Sequence, residues 1–313
     1  MTEHPRDLVG RGEVPPHAGW PDGARVAVSL VLNYEEGAEA SVLDGDPASE
    51  GYLHEIVGAG PLVGRRDLNV ESMFAYGARA GFWRIHRTLR RHAAPLTVYG
   101  VGLALERNPE AARAMGEAGY EVASHGWRWI DYGTVPEEVE RAELARCIET
   151  IERLVGRRPV GWYTGRTSPA TRRLVAEEGG FLYDSDDYSD DLPYYVEAAG
   201  RPHLVLPYSL DTNDFKFLVP NGFVTADDFL AYLVDAFDVL HEEGADRPRM
   251  MSVGLHCRIT GRPGRIRALD RFLTWAHWLW FFEPYLALTL VLLRDHNRFP
   301  RAARDLSSIS SIL

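Results

Sequence analysis

Apolar positions along this chain follow two alternating rhythms. Short aliphatic runs such as "RVAVSLVL" (25–32) and "RMMSVGLHC" (249–257) predict buried strands. Between them lie stretches with apolar residues three and four apart, which predict amphipathic helices. The longest are "VPEEVERAELARCIETIERLVG" (135–156), acidic in its first turn, and "ADDFLAYLVDAFDVLHEEGA" (226–245). From residue 71 the order is regular. A helix over 77–92 precedes a strand "LTVYGVGLAL" (96–105), and a helix "NPEAARAMGEAG" (108–119) carries Asn108 as N-cap, Pro109 at its first position and Gly119 as its stop. Strands at 120–126, 159–165, 181–186 and 204–210 and a helix at 168–179 continue the alternation. That order predicts a parallel sheet with helical crossovers, an α/β fold. Before it, residues 1–24 read as a Pro- and Gly-rich arm, and 38–70 as a long irregular stretch of the kind that often carries function.

Composition narrows the class. In 313 residues, 45% are apolar and 25% charged, the profile of a globular protein. The net charge is −11, with no compensating basic cluster, so a nucleic-acid partner is not expected. The two cysteines, Cys147 and Cys257, provide neither a disulfide framework nor a thiolate zinc site. The N-terminus lacks the apolar core of a signal peptide, and a cytoplasmic protein is the expectation.

Polar residues recur where the strands end: Glu35 and Glu36, Ser124 and His125, Arg166, Asp184 and Asp186, and His256. In a (β/α) barrel these positions converge on one rim. The segments "NYEEG", "SHGWRWIDY", "GWYTGRTS", "DDLPYY" and "LHCRITGRPGR", in that order, resemble the polysaccharide-deacetylase (NodB-homology) superfamily, and within it the metal-independent, PuuE-type allantoinase branch. The resemblance runs over about residues 5–273. It implies a (β/α) barrel of the polysaccharide-deacetylase type and hydrolysis of a carbon–nitrogen bond in a cyclic amide, namely opening of the hydantoin ring of allantoin to allantoate. Cyclic imide hydrolysis and deacetylation of a sugar stay open as alternatives, as does an inactive binding or scaffold protein.

The resemblance also assigns roles. The deacetylases' first motif carries a base and then a metal ligand, which here match Glu35 and Glu36. Their second motif carries two histidine ligands; the first is His125, but Trp129 stands in place of the second. An indole only donates hydrogen bonds, and catalytic zinc ordinarily takes three protein ligands, so no metal site is assigned. A divalent metal such as zinc stays open if a third ligand comes from elsewhere. The expected catalytic set is Glu35, Glu36, His125 and His256: either glutamate as base, its pKa raised by its neighbour, and His256 as acid. Arg166, Trp129, Asp184 and Tyr163 are the expected substrate contacts. No cofactor is expected, and a homo-oligomer, on the family's pattern a tetramer, is. After residue 273 the resemblance stops. The barrel is therefore expected at 25–273, with a divergent segment at 274–313 leaving it distorted or incomplete at the last strand. The apolar stretch from Trp275 to Leu293 has Glu283 and Pro284 at its middle, which argues against a membrane span.

Overall fold

A computed structural model describes residues 6–56, 58–282 and 286–288. The first strand, β1 (Val26–Tyr34), is buried along almost its whole length, as its unbroken apolar run requires. A long covering segment then leads to α1 (Leu68–Tyr76), capped by the Asp67 side chain on the amides of Asn69 and Val70. Through a π-helical turn at Gly77–Gly81, α1 runs directly into α2 (Phe82–Arg91). There follow β2 (Thr97–Gly100), α3 (Gly102–Arg107), α4 (Pro109–Glu117), β3 (Glu121–Ser124), α5 (Glu137–Val155), β4 (Gly161–Trp162), α6 (Thr171–Glu178) and β5 (Tyr183–Asp184). A hairpin of β6 (Tyr194–Ala198) and β7 (Arg201–Val205) precedes α7 (Ala226–Glu243), β8 (Arg249–His256), α8 (Ile266–Phe282) and β9 (Leu286–Leu288).

The strands lie in the order β6-β7-β5-β4-β3-β2-β1-β8, all parallel except the antiparallel β6–β7 pair. The sheet is curled and incompletely closed. Between its ends, residues 208–213 serve as a seam, where the Ser209 amide donates to Ser252 Oγ and the Gly254 amide to the Thr212 carbonyl. The principal core lies between β1, β2 and β8 and the helices α1, α2, α4, α7 and α8, with Leu32, Phe74, Phe82, Leu89, Phe229 and Phe272 almost fully buried.

Three local departures from the sequence pattern matter. The run 96–105 is not one strand; it breaks at Val101, where the Gly102 and Leu103 amides turn to the carbonyls of Gly126 and Trp127 and begin α3. The β6 strand was not foreseen, because alternating half-exposed positions in "YYVEA" carry little periodicity. A strand does follow α8: β9 pairs with Val26–Val28 of β1, and the opening in the sheet lies between β8 and the β6–β7 hairpin. The remainder of 274–313 lies outside the described residues. Among the described residues, no helix is long and apolar enough to cross a membrane.

Candidate active site

The carboxyl ends of β1, β3 and β8 meet above the sheet, and together they deliver five side chains. Beyond β1 come Glu35 and Glu36, beyond β3 comes His125, and at the end of β8 come His256 and, two residues on, Arg258. All five are at most 4% exposed.

Glu35 is the centre. Its Oε2 accepts from Arg258 Nη1 at 2.7 Å, while Oε1 lies 3.4 Å from His125 Nε2 and 3.6 Å from His256 Nε2. Burial alone would raise its carboxyl, but Arg258, His256 and His125 together hold it well below the usual carboxylate range. Glu36 is sealed beneath. Its Oε2 accepts from the Glu35 amide and its Oε1 from the Arg258 amide, and its side chain packs on Gly77 of the π-helical turn. Here burial prevails over Arg258, and the charge of Glu35 adds to it, so the Glu36 carboxyl is raised. The expected mutual elevation of the two acids therefore applies to Glu36 and not to Glu35, because Arg258 lies nearer Glu35 and both histidines face it, whereas burial outweighs Arg258 at Glu36.

The histidines are oriented by acceptors on their far sides. His125 donates from Nδ1 to the Tyr163 carbonyl at 2.9 Å, which leaves Nε2 toward Glu35. His256 donates from Nδ1 to Asp214 Oδ1 at 2.6 Å, and its amide donates to Oδ2 of the same carboxylate. Asp214 also takes the amide and hydroxyl of Thr260. Burial would lower the His256 pKa; Asp214 and Glu35 outweigh it and raise the value. The result is an Asp–His pair aimed at a carboxylate.

The expected substrate contacts divide. Trp129 belongs to the site wall: its ring stacks on Tyr52 at 6.1 Å and lies between the guanidinium carbons of Arg166 at 4.0 Å and Arg258 at 5.1 Å. Arg166 is part of the same wall, donating to the Trp129 carbonyl and paired with Glu50 at 3.4 Å. Tyr163 backs His125, with its ring stacked on Tyr99 at 4.6 Å. Asp184 lies in a separate set, bound by Arg172 at 2.9 Å and His203 at 2.9 Å. The segment from Glu50 to Glu55 covers the site and is tied down by Arg258 Nε, which donates to the Leu53 carbonyl at 3.0 Å.

Two residues the sequence reading did not single out are central. Arg258 sits in the quoted "LHCR" run, and the two-residue period of a strand would have placed it beside His256. Asp214 comes from "TNDF", 42 residues before its partner, with no local signal.

The resemblance to the deacetylases raises the question of a metal. Among the described residues, no group of three or more His, Cys, Asp or Glu is arranged to hold one. The guanidinium of Arg258, held against both carboxylates at 2.7 and 3.4 Å, already supplies a cation there. The donor set does not fit a three-ligand catalytic ion.

Known proteins resemble the chain over most of its length. The family model for polysaccharide deacetylase matches residues 65–181. A Schizosaccharomyces pombe protein named as a polysaccharide deacetylase is 44% identical over 288 residues, covering 86% of this chain and 90% of that one. Among solved structures, a PuuE allantoinase is 50% identical with a TM-score of 0.90, covering 95% of this chain and 99% of that one. A Pseudomonas aeruginosa PAO1 protein named as a polysaccharide deacetylase is 52% identical with a TM-score of 0.89, over the same shares of the two chains.

Proposed function

The chain belongs to the polysaccharide deacetylase family and is a hydrolase of that superfamily, and we propose that its substrate is a cyclic amide, with the hydantoin ring of allantoin first in line. The observation that carries this reading is the convergence of Arg258, His125 and His256 on Glu35 with no three-ligand metal set around it among the described residues. The half-identical allantoinase structure supports the same choice.

Opening an amide ring requires a base for the attacking water, a donor for the oxyanion, and an acid for the leaving nitrogen. Glu35 is the base, because it alone among the carboxylates meets both histidines. Held as the anion, it is ready at any working pH but weak in the resting site. His256 is the acid, its imidazolium favoured by Asp214 and Glu35. His125, fixed by Tyr163, orients the water, and Trp129 and Arg166 wall the ring.

A second reading, deacetylation of an N-acetylated sugar, is favoured by the names of the Schizosaccharomyces pombe and Pseudomonas aeruginosa relatives and by the family model. One experiment separates the two. The purified chain is offered allantoin, a cyclic imide and an N-acetylated amino sugar, each with and without EDTA. Ring opening of allantoin, unchanged by EDTA, is the expected result. Activity confined to the sugar and abolished by EDTA would replace this reading with the second.

A further inference from the structure

The Arg258 guanidinium packs against two aromatic rings, with its central carbon 4.2 Å from the Phe74 ring and 5.1 Å from the Trp129 ring. Hydrogen bonds from two of its nitrogens hold its plane, and with it the directions of its five N–H groups. Nη1 is committed to Glu35 and Nε to the Leu53 carbonyl of the covering segment. Nη2 is fully buried and has no hydrogen-bond partner. A buried guanidinium nitrogen left unsatisfied is costly, and such exceptions in folded proteins call for a ligand or a water.

The other buried side-chain nitrogens without partners among the described residues are Arg128 Nε, whose guanidinium bonds Asp46 and the Glu39 carbonyl, and Trp162 Nε1, whose ring packs on Phe181. Nη2 is bonded to the same carbon as the nitrogen that holds Glu35, so anything it binds lies beside that carboxylate. It is also flanked by the nitrogen that holds the covering segment.

We propose that Arg258 Nη2 receives the carbonyl oxygen of the amide that is cleaved. In this arrangement a single planar group performs two tasks: Nη1 positions Glu35, and Nη2, one nitrogen away, draws the carbonyl to that carboxylate. The carbon attacked by water therefore lies next to Glu35 Oε2, and the negative charge that develops on the oxygen meets a fixed cation. This assignment rests on the hydrolase reading above and extends it to the oxyanion donor, the one role the two glutamates and two histidines leave unfilled.

The test uses Arg258→Lys and Arg258→Ala in the full chain. Lysine keeps a positive charge for Glu35 but cannot present two coplanar donors in fixed directions. The expected result for Arg258→Lys is a fall of about 10²- to 10³-fold in kcat on allantoin, with KM raised by no more than about tenfold. Arg258→Ala is expected to regain activity with added guanidinium but not with added methylammonium. Binding of hydantoin itself, followed by calorimetry, supplies a readout that does not need turnover, and Arg258→Lys is expected to weaken it about tenfold. A lysine variant with wild-type kcat overturns the assignment while leaving the hydrolase reading intact, as does a lysine variant that binds hydantoin with wild-type affinity. A wild-type chain that opens no cyclic amide sinks the cyclic-amide reading itself, and if it also fails to bind hydantoin the role of Arg258 falls with it.

Discussion

At the scale of single residues, the site is a problem in dividing charge among groups that cannot all be ionised independently. Glu35 and Glu36 are adjacent in sequence yet meet opposite fates, because side chains of consecutive residues leave the backbone in different directions. Glu35 points at Arg258 and two histidines; Glu36 points into packing against Gly77, with Arg258 at its edge. The sequence made the four clustered positions legible because their motifs are local. It could not show which glutamate faced the cations, nor supply Asp214, which reaches His256 only through the closure of the seam beside β8. Asp214 is the point to probe. Its carboxylate orients His256 and favours the imidazolium, so Asp214→Asn is expected to lower kcat by about 10²- to 10⁴-fold, the scale seen for acids that orient a catalytic histidine. The sign in pH follows from the raised His256 value. Activity needs the protonated form, so it is lost as pH rises through that value, and the asparagine variant should lose it at lower pH than wild type. A pH–rate profile measures this, and an alkaline limb that does not move would refute His256 as the acid.

Among elements, close approach explains what periodicity alone could not. The stretch 77–92 reads as an ordinary helix, whereas the structure begins it with the π-helical turn Gly77–Gly81. Such turns are rare and favour functional sites. Here the widened turn lets two glycines meet the site directly. A Cβ on Gly81 would overlap the Cys257 carbonyl, and one on Gly77 would overlap the carboxylate of Glu36. Backbone cannot yield as a side-chain tip can, so Gly81→Ala forces the helix away from the end of β8. The expected cost is about 2–3 kcal/mol or more in denaturant unfolding, with activity lost beyond what the stability change explains. Unchanged unfolding and turnover would mean the helix is not seated on the β8 end in solution. The strand at 96–105 was misread for a related reason. Its apolar run continues past Gly100, but the amides of Gly102 and Leu103 find carbonyls beyond β3, and a helix starts where composition alone shows a strand. By contrast β1, α5, α7 and β8 lie close to where the pattern puts them, since each is either wholly buried or strongly two-faced.

For the whole molecule, the proton balance tilts one way. Burial raises Glu39 to about 7, and it raises Asp186 to about 7 although the latter accepts the amides of Thr164 and Gly165. Glu36, Glu121 and Glu143 are raised as well, again chiefly by burial. A carboxyl whose folded value exceeds its unfolded one contributes stability that is complete below the unfolded value and is lost as pH rises through the folded value. His256, also raised, has the same sign. Glu35 and Asp184 are lowered, and their contributions are instead lost in acid. The opposing sets place the stability maximum near the top of the ordinary carboxylate range, with a decline from about pH 5 to pH 8 that a net charge of −11 reinforces. Glu39 tests this cleanly, because it is 8% exposed and its main hydrogen bond, from the Gly37 amide, can be kept by glutamine. Its shift from 4.5 to about 7 corresponds to roughly 3 kcal/mol. Glu39→Gln should therefore shrink the stability difference between pH 5 and pH 8 by about 2–3 kcal/mol, read from urea unfolding at the two pH values. If the variant loses stability as steeply as wild type, Glu39 is already ionised in the folded chain, and the segment that covers the site must admit water to it.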